Sequence, residues 1–570
     1  MLIGGKYGYA CMQASSSQLC YNTSEVITEG ARHVKTSQSN VWFKGAFILM
    51  LAALITKVLS AVYRIPFQNI VGDTGFYIYQ QVYPFYGVII ALSTYGFPIV
   101  LSKLYMEMKV EGNQSGINRL VSSSFFLFFP IGVAAFLILF FNAGRLASWM
   151  GDPYLASLLK VISFAFLFSP LTAILRGIFQ GEGNMIPTAV SQVSEQLLRV
   201  GIILFVAVFF SFKGYSLYAI GSGAMFGSVI GGLLSLLVLI YFYRKSSFSF
   251  TLFRFSALFH KGNRLLCKRV VYEGITISIS SMLLILLQLA DSLNLYSLLI
   301  ENGMADENAK VMKGIYDRGQ PLIQIGSIIS TSMALSIVPL ITKDRQKASN
   351  KDLMGNIHFS LLVSYFIGLG ATVGLIGIIN ETNSMLFEND AGSTVLAILF
   401  FVIFFNAIIV TVMSILQGLG HSYYPAVLII FGFIGKYVLN ISLVSSYGIA
   451  GAAYASLIIL FILLLLMVVK LRRIVKEPII GLKQIIIISG ASFVMLLVLK
   501  GYIPLSSLLL EFIENNRIKS AIQALSGVMI GGIVYVFLVL RGNVFKEKEL
   551  SLLPLGSKLI WFLPKKKEGN

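Results

Sequence analysis

The 570-residue chain is 56% apolar and only 12% charged, against roughly 25% charged in an ordinary soluble domain. Too few charges are present to coat a water-soluble globule of this size, and the apolar residues fall in blocks of about 20, enough to cross a ~30 Å hydrocarbon layer as helix. The net charge of +19 then reads as basic cytoplasmic loops rather than a nucleic-acid footprint, and Cys11, Cys20 and Cys267 lack metal-ligand spacing and argue against a disulfide framework.

Residues 1–43 read as a polar, disordered cytoplasmic tail without the layout of a signal peptide. Apolar blocks bounded by Pro, Gly and charge then predict helices at 45–66, 82–103, 120–141, 155–178, 187–211, 215–243, 271–300, 320–342, 357–379, 392–416, 425–445, 449–471, 481–502 and 519–541. The expectation is an all-α polytopic membrane protein of fourteen transmembrane helices. Lysine and arginine fall mostly on the side that holds the basic loop 244–269 and the basic tail 542–570, which places both termini in the cytoplasm.

The stretch Gln180-Gly181-Glu182-Gly183 before Pro187 matches Gln417-Gly418-Leu419-Gly420 before Pro425. Two further matches in the same order, Gly223-Ala224 with Gly451-Ala452 and Pro98 with Pro339, make this an internal repeat. It divides the chain into six-helix bundles at 44–243 and 270–471, followed by two additional helices in 472–541. Six is even, so the halves enter the membrane in the same sense and are expected to be related by a pseudo-two-fold along its normal. Their interface is the natural cavity. The Gln-Gly-x-Gly stretches themselves read as structural hairpins, and Gly223, Gly227 and Gly231 as a close-packing stripe.

An ionised group at the bilayer centre costs ~3 kcal/mol on insertion scales, so each needs a partner, a wet cavity or a route to the surface. Lys57 sits near mid-depth of the first helix and Arg64 two turns on along the same face, a stack that points to an anion site. Arg318 opens the corresponding helix of the second half, and Lys436 is a further mid-depth cation. These four form the candidate substrate-binding set. Glu195 and Arg199, four apart with Glu first, are expected to pair with each other. Asp291 is a candidate for pairing with a cation or for ion coupling, and Asp317 stands beside Arg318. Arginine grips phosphate oxygens through parallel hydrogen bonds and lysine adds point charge, so such a cavity suits a pyrophosphate and repels a cationic drug.

The segments Ile55-Thr56-Lys57-Val58-Leu59, Tyr63-Arg64-Ile65-Pro66, Gly72-Asp73, Tyr79-Gln80-Gln81-Val82-Tyr83-Pro84, Phe179-Gln180-Gly181 through Glu195-Gln196, and Tyr316-Asp317-Arg318-Gly319-Gln320-Pro321-Leu322 together resemble the stage V sporulation protein B group. That group is related to MurJ-type lipid II flippases of the multidrug/oligosaccharidyl-lipid/polysaccharide exporter superfamily. The resemblance runs from residue 44 to about 540. It implies fourteen helices in a V-shaped pair of bundles, with Lys57, Arg64 and Asp317-Arg318 lining the cavity. The implied activity is outward movement of an undecaprenyl-pyrophosphate-linked sugar, a peptidoglycan or sporulation-related precursor. The second helix departs from the Gram-negative pattern, since Tyr86–Tyr95 contains no arginine.

The expected protein is therefore a cell-membrane flippase rather than an enzyme. It carries no cofactor, no metal and no P-loop, and its partners are a polyprenyl-pyrophosphate-linked sugar, membrane lipids and cell-wall synthesis proteins. A cation-coupled multidrug antiporter of the same superfamily and a non-transporting morphogenetic scaffold are the alternatives.

Overall fold

The computed structural model describes residues 45, 47–246, 263–328, 341, 350–476 and 481–550. Among them every regular element is helical. The expected N-terminal tail, most of the basic loop, the second half of the 320–342 helix and the end of the basic tail lie outside the described residues. Among the described residues, twelve helices are long and apolar enough to cross a membrane. The fourteen expected spans do not map onto these one for one: the Phe47–Val110 run counts once but contains two of them, and the predicted 320–342 span is only partly described.

That first run consists of α1 (47–62), α2 (Arg64–Ile90), a π-helical stretch at Ala91–Gly96 and α3 (Phe97–Val110). Residues 67–81, expected as a connection, are helical. The chain reverses at Gly72 alone, where φ is +68°, a value glycine adopts without a Cβ clash. Helix persists on both sides of this turn because aromatic burial outweighs local propensity. Phe67, Phe76, Tyr77 and Tyr79 are all fully buried, and the Tyr63 and Tyr79 hydroxyls meet at 2.6 Å across the hairpin.

The chain continues through α4 (Gln114–Trp149), α5 (Ala156–Ser163), α6 (Ala165–Gly181), α7 (Ile186–Phe212) and α8 (Leu217–Lys245). The small-residue stripe on α8 lets α7 approach closely: a Cβ on Gly231 would lie 2.8 Å from the Glu195 carbonyl, and one on Gly227 2.9 Å from Ile202. This contact holds the α7 turn that carries Glu195 and Arg199.

The predicted 271–300 helix is two elements, α9 (Asn263–Ser281) and α10 (Leu283–Glu301), broken at Met282. The next helix begins fourteen residues earlier than expected, as α11 (Asp306–Asp317). Its first turn holds Asp306 and Glu307, which complement the positive end of the helix dipole, while Ile315 and Tyr316 bury its last turn. After Arg318 the chain continues as α12 (319–328). The remaining elements are α13 (Asn350–Gly377), α14 (Ile379–Phe387), α15 (Ser393–Leu399), α16 (Phe401–Gly418), α17 (Tyr423–Tyr447), α18 (Ile449–Val475), α19 (Leu482–Leu509), α20 (Asn516–Arg541) and the short α21 (Glu547–Leu550). Helices α19 and α20 build a separate small core against α13, with Phe366 and Tyr535 stacked at 5.0 Å.

Both Gln-Gly-x-Gly stretches close a helix in the same way. Gly183 and Gly420 have φ +85°, Asn184 N–H donates to the Phe179 carbonyl at 3.0 Å, and His421 N–H to that of Leu416 at 2.7 Å. This is a left-handed glycine cap that returns orphan carbonyls to the hydrogen-bonded state.

Candidate functional site

Glycine at the α2 reversal and the aromatic alternation beyond it bring four tyrosines together around two arginines of the first half. The Arg64 guanidinium lies 4.2 Å from the centre of the Tyr83 ring. That of Arg199, from α7, lies 5.0 Å from Tyr86 and 5.9 Å from Tyr63. Tyr83 and Tyr86 are edge to face at 6.3 Å, and Tyr79 is 5.9 Å from Tyr83, so the rings form one continuous box. Arg64 and Arg199 are 2% and 1% exposed. Arg199 Nη2 donates to Gln196 Oε1 at 2.5 Å. By contrast, Arg64 Nε, Arg199 Nε and Nη1, and Gln196 Nε2 have no acceptor among the described residues, and neither arginine forms an ion pair there. Lys57 lies half-buried on α1, two turns before Arg64.

The expected Glu195–Arg199 pair does not form. Glu195 instead accepts from Arg176 of α6 at 3.0 Å and from the Tyr86 hydroxyl at 3.0 Å. Arg176 is completely buried and fills its remaining donors with Ser191, Thr94, Ser235 and the Ser93 carbonyl. Two of these four acceptors lie in the π-helical stretch. A π turn offsets its residues from the α ladder, and here it presents Ser93 and Thr94 to one guanidinium. Position explains the choice of partner: Glu195 faces the α2–α6 seam, where Arg176 reaches it together with four other acceptors, while Arg199 is turned to Gln196 and the tyrosine faces.

Arg318 is separate from this box. Its Nε and Nη2 grip the two Asp73 oxygens at 2.8 and 2.6 Å, and Nη1 donates to Asn389 Oδ1 at 2.7 Å. Asp73 immediately follows the Gly72 reversal and also accepts from Gln68 at 2.9 Å. Asn389 follows α14. The clasp therefore ties the first half to the second at the Gly72 end, reinforced by Thr74 donating to Glu307 at 3.1 Å. At the opposite end, exposed pairs join α3 to α9: Lys103–Glu273 at 3.0 Å and Arg269–Glu107 at 3.1 Å.

Lys436 is likewise committed. Its ammonium is wholly buried against Asp291 Oδ1 at 2.9 Å, the Ala452 carbonyl at 2.5 Å and Ser456 Oγ at 2.5 Å. Asp291 in turn accepts from Tyr316 and Asn440. Asp317 takes both its hydrogen bonds from Lys313, at 2.7 Å each. Of the expected substrate-binding set, the structure thus places Arg64 in a box with Arg199 and sends Arg318 and Lys436 to carboxylates elsewhere. Arg176, Asp73 and Lys313 were missed as functional positions. Arg176 lay within the predicted 155–178 span, Asp73 in a segment that carried only the family resemblance, and Lys313 in a segment expected to be a connection. Among the described residues no three His, Cys, Asp or Glu side chains come together as metal ligands.

Comparison with known proteins agrees with this architecture. The uncharacterized membrane protein YabM of Bacillus subtilis (strain 168) is 42% identical over 531 residues, covering 93% of this chain and 98% of that one. The lipid II flippase MurJ of the same organism is 25% identical over 549 residues, covering 88% and 95%. The solved structure of lipid II flippase MurJ in an inward closed conformation superposes with a TM-score of 0.65 at 17% identity, covering 86% of this chain and 98% of that one. The family model described as polysaccharide biosynthesis protein matches residues 42–345, and the chain is a multi-pass membrane protein that belongs to that family.

Proposed function

We propose that the protein is a transporter that moves a polyprenyl-pyrophosphate-linked saccharide from the inner to the outer leaflet by alternating access of its two halves. The observation that carries this reading is Arg64: a guanidinium deep in a membrane protein, with an unfilled donor and no ion-paired carboxylate among the described residues. Such a group is costly to retain unless an anionic guest completes it. The flippase function of the related MurJ and the superposition with its fold support the same assignment. Lys57, half-buried two turns away, adds charge along the entry route.

With both termini cytoplasmic, the Gly72 end is outer. The Asp73–Arg318–Asn389 clasp then closes the outer mouth, and the α3–α9 ion pairs lie at the inner one. The headgroup enters from inside, the clasp opens, and the prenyl tail stays in lipid. A membrane potential contributes ~2.3 kcal/mol per charge per 100 mV, so a guest of two negative charges leaving a negative interior gains ~4–5 kcal/mol at that potential. The test is reconstitution into liposomes with labelled polyprenyl-pyrophosphate saccharides, scoring label that becomes accessible on the far face with and without an imposed potential. Arg64→Ala should reduce transport at least tenfold while insertion is unchanged. Equal transport by Arg64→Ala and the parent would overturn the site, and a parent that transports none of the panel would favour a scaffold.

A further inference from the structure

We infer that Arg199 is the second arm of a two-guanidinium clamp with Arg64, lying wholly within the first half, and that this clamp selects a diphosphate over a monophosphate. The inference rests on the proposed transport of a phosphate-bearing lipid and deepens it. Arg199 has the same three attributes that single out Arg64: near-total burial, a tyrosine face in place of a carboxylate, and donors without acceptors. The two guanidiniums sit on contacting rings, Arg64 on Tyr83 and Arg199 on Tyr86.

The surroundings sharpen the chemistry. The unfilled groups of the two arginines and Gln196 are all N–H donors, so the guest must present acceptors. Glu195, the nearby carboxylate on the Arg199 helix, is already neutralised by Arg176 and held by Tyr86. Among the described residues, the box therefore keeps two positive charges with no ion-paired carboxylate of their own. A single phosphoryl group fills one guanidinium fork and leaves the other arginine buried and unpaired. Two linked phosphoryl groups fill both, which is the geometric case in which bidentate arginine recognition applies twice. The tyrosine faces hold each cation in the guest's absence.

Three buried cations of the second half are excluded from this role by their own carboxylates: Lys313 with Asp317, Lys436 with Asp291 and Arg318 with Asp73. The headgroup accordingly rides on one half, and the other half moves relative to it.

The test uses the detergent-solubilised full chain and two probes, farnesyl diphosphate and farnesyl monophosphate, with dissociation constants from titration calorimetry. The parent should prefer the diphosphate by at least tenfold. Arg199→Gln should lower diphosphate affinity to near the monophosphate value with little change in the latter, whereas Arg318→Gln should keep the preference. Arg199→Lys retains the charge without the planar fork, so it should also lose most of the preference, and it carries the test if Arg199→Gln does not insert. A parent that prefers the diphosphate alongside Arg199 variants that do so equally overturns the clamp and leaves the transport reading intact. A parent that binds neither probe overturns both.

Discussion

The two halves treat buried positive charge in opposite ways. In the first, Arg64 and Arg199 lie against tyrosine faces with donors unfilled, while Arg176 is neutralised by Glu195. Around the second, Lys313, Lys436 and Arg318 each have a carboxylate within 2.9 Å. The matching Gln-Gly-x-Gly caps are therefore not accompanied by matching electrostatics. On the proposed transport reading, a cation with its own carboxylate serves the structure and one without it is available to an anionic guest, which would place recognition of the cargo on one half.

The largest effect that probes this contrast is at the Lys436–Asp291 pair. Removing one partner of a buried ion pair costs about 3–5 kcal/mol because the other charge is left uncompensated, while replacing both is close to neutral. Lys436→Met should show that loss in denaturant unfolding in detergent, and Lys436→Met with Asp291→Asn should recover most of it. Arg64→Met, which strands no carboxylate, should leave stability unchanged or raise it; a loss as large as that of Lys436→Met would erase the distinction between the halves. Next in size is the clasp. A double-mutant cycle over Asp73→Ala and Arg318→Ala should return a coupling of about 2–3 kcal/mol, in the range of charge-assisted bidentate contacts, together with faster labelling of a cysteine placed at Tyr83 from the outer face. The smallest effect sets the repeat as a reference. Gly183→Ala and Gly420→Ala should each cost about 1–2 kcal/mol by forcing a Cβ into the left-handed region, and by equal amounts, since the two caps share one geometry.

How far the sequence revealed this follows from the range of the forces involved. Most span positions follow from apolar runs, because insertion into hydrocarbon is decided segment by segment. The Gln-Gly-x-Gly caps were legible because a left-handed glycine needs only its neighbours. The 67–81 stretch was not, since its helix is held by rings that meet only after the chain has doubled back. The start of α11 at Asp306 was also missed, although its acidic first turn was a usable signal. Charge pairing was the least legible level. The i, i+4 spacing favoured Glu195 with Arg199, but the fold brings Arg176, 19 residues upstream, to Glu195 instead. Asp73 and Arg318 are 245 residues apart, beyond any local rule. Arg64 could be singled out because depth alone makes an arginine costly, and that cost is a property of one residue.

The Asp73–Arg318–Asn389 clasp also has a consequence for the membrane as an insulator. In the proposed orientation, parting of the outer end must break this forked arginine contact as a unit, and at about 2–3 kcal/mol for that contact the unlatched form is held to roughly one molecule in 30 to 160. On that reading, Arg318→Ala should raise passive ion flux through cargo-free protein reconstituted in a planar bilayer, while the parent stays sealed.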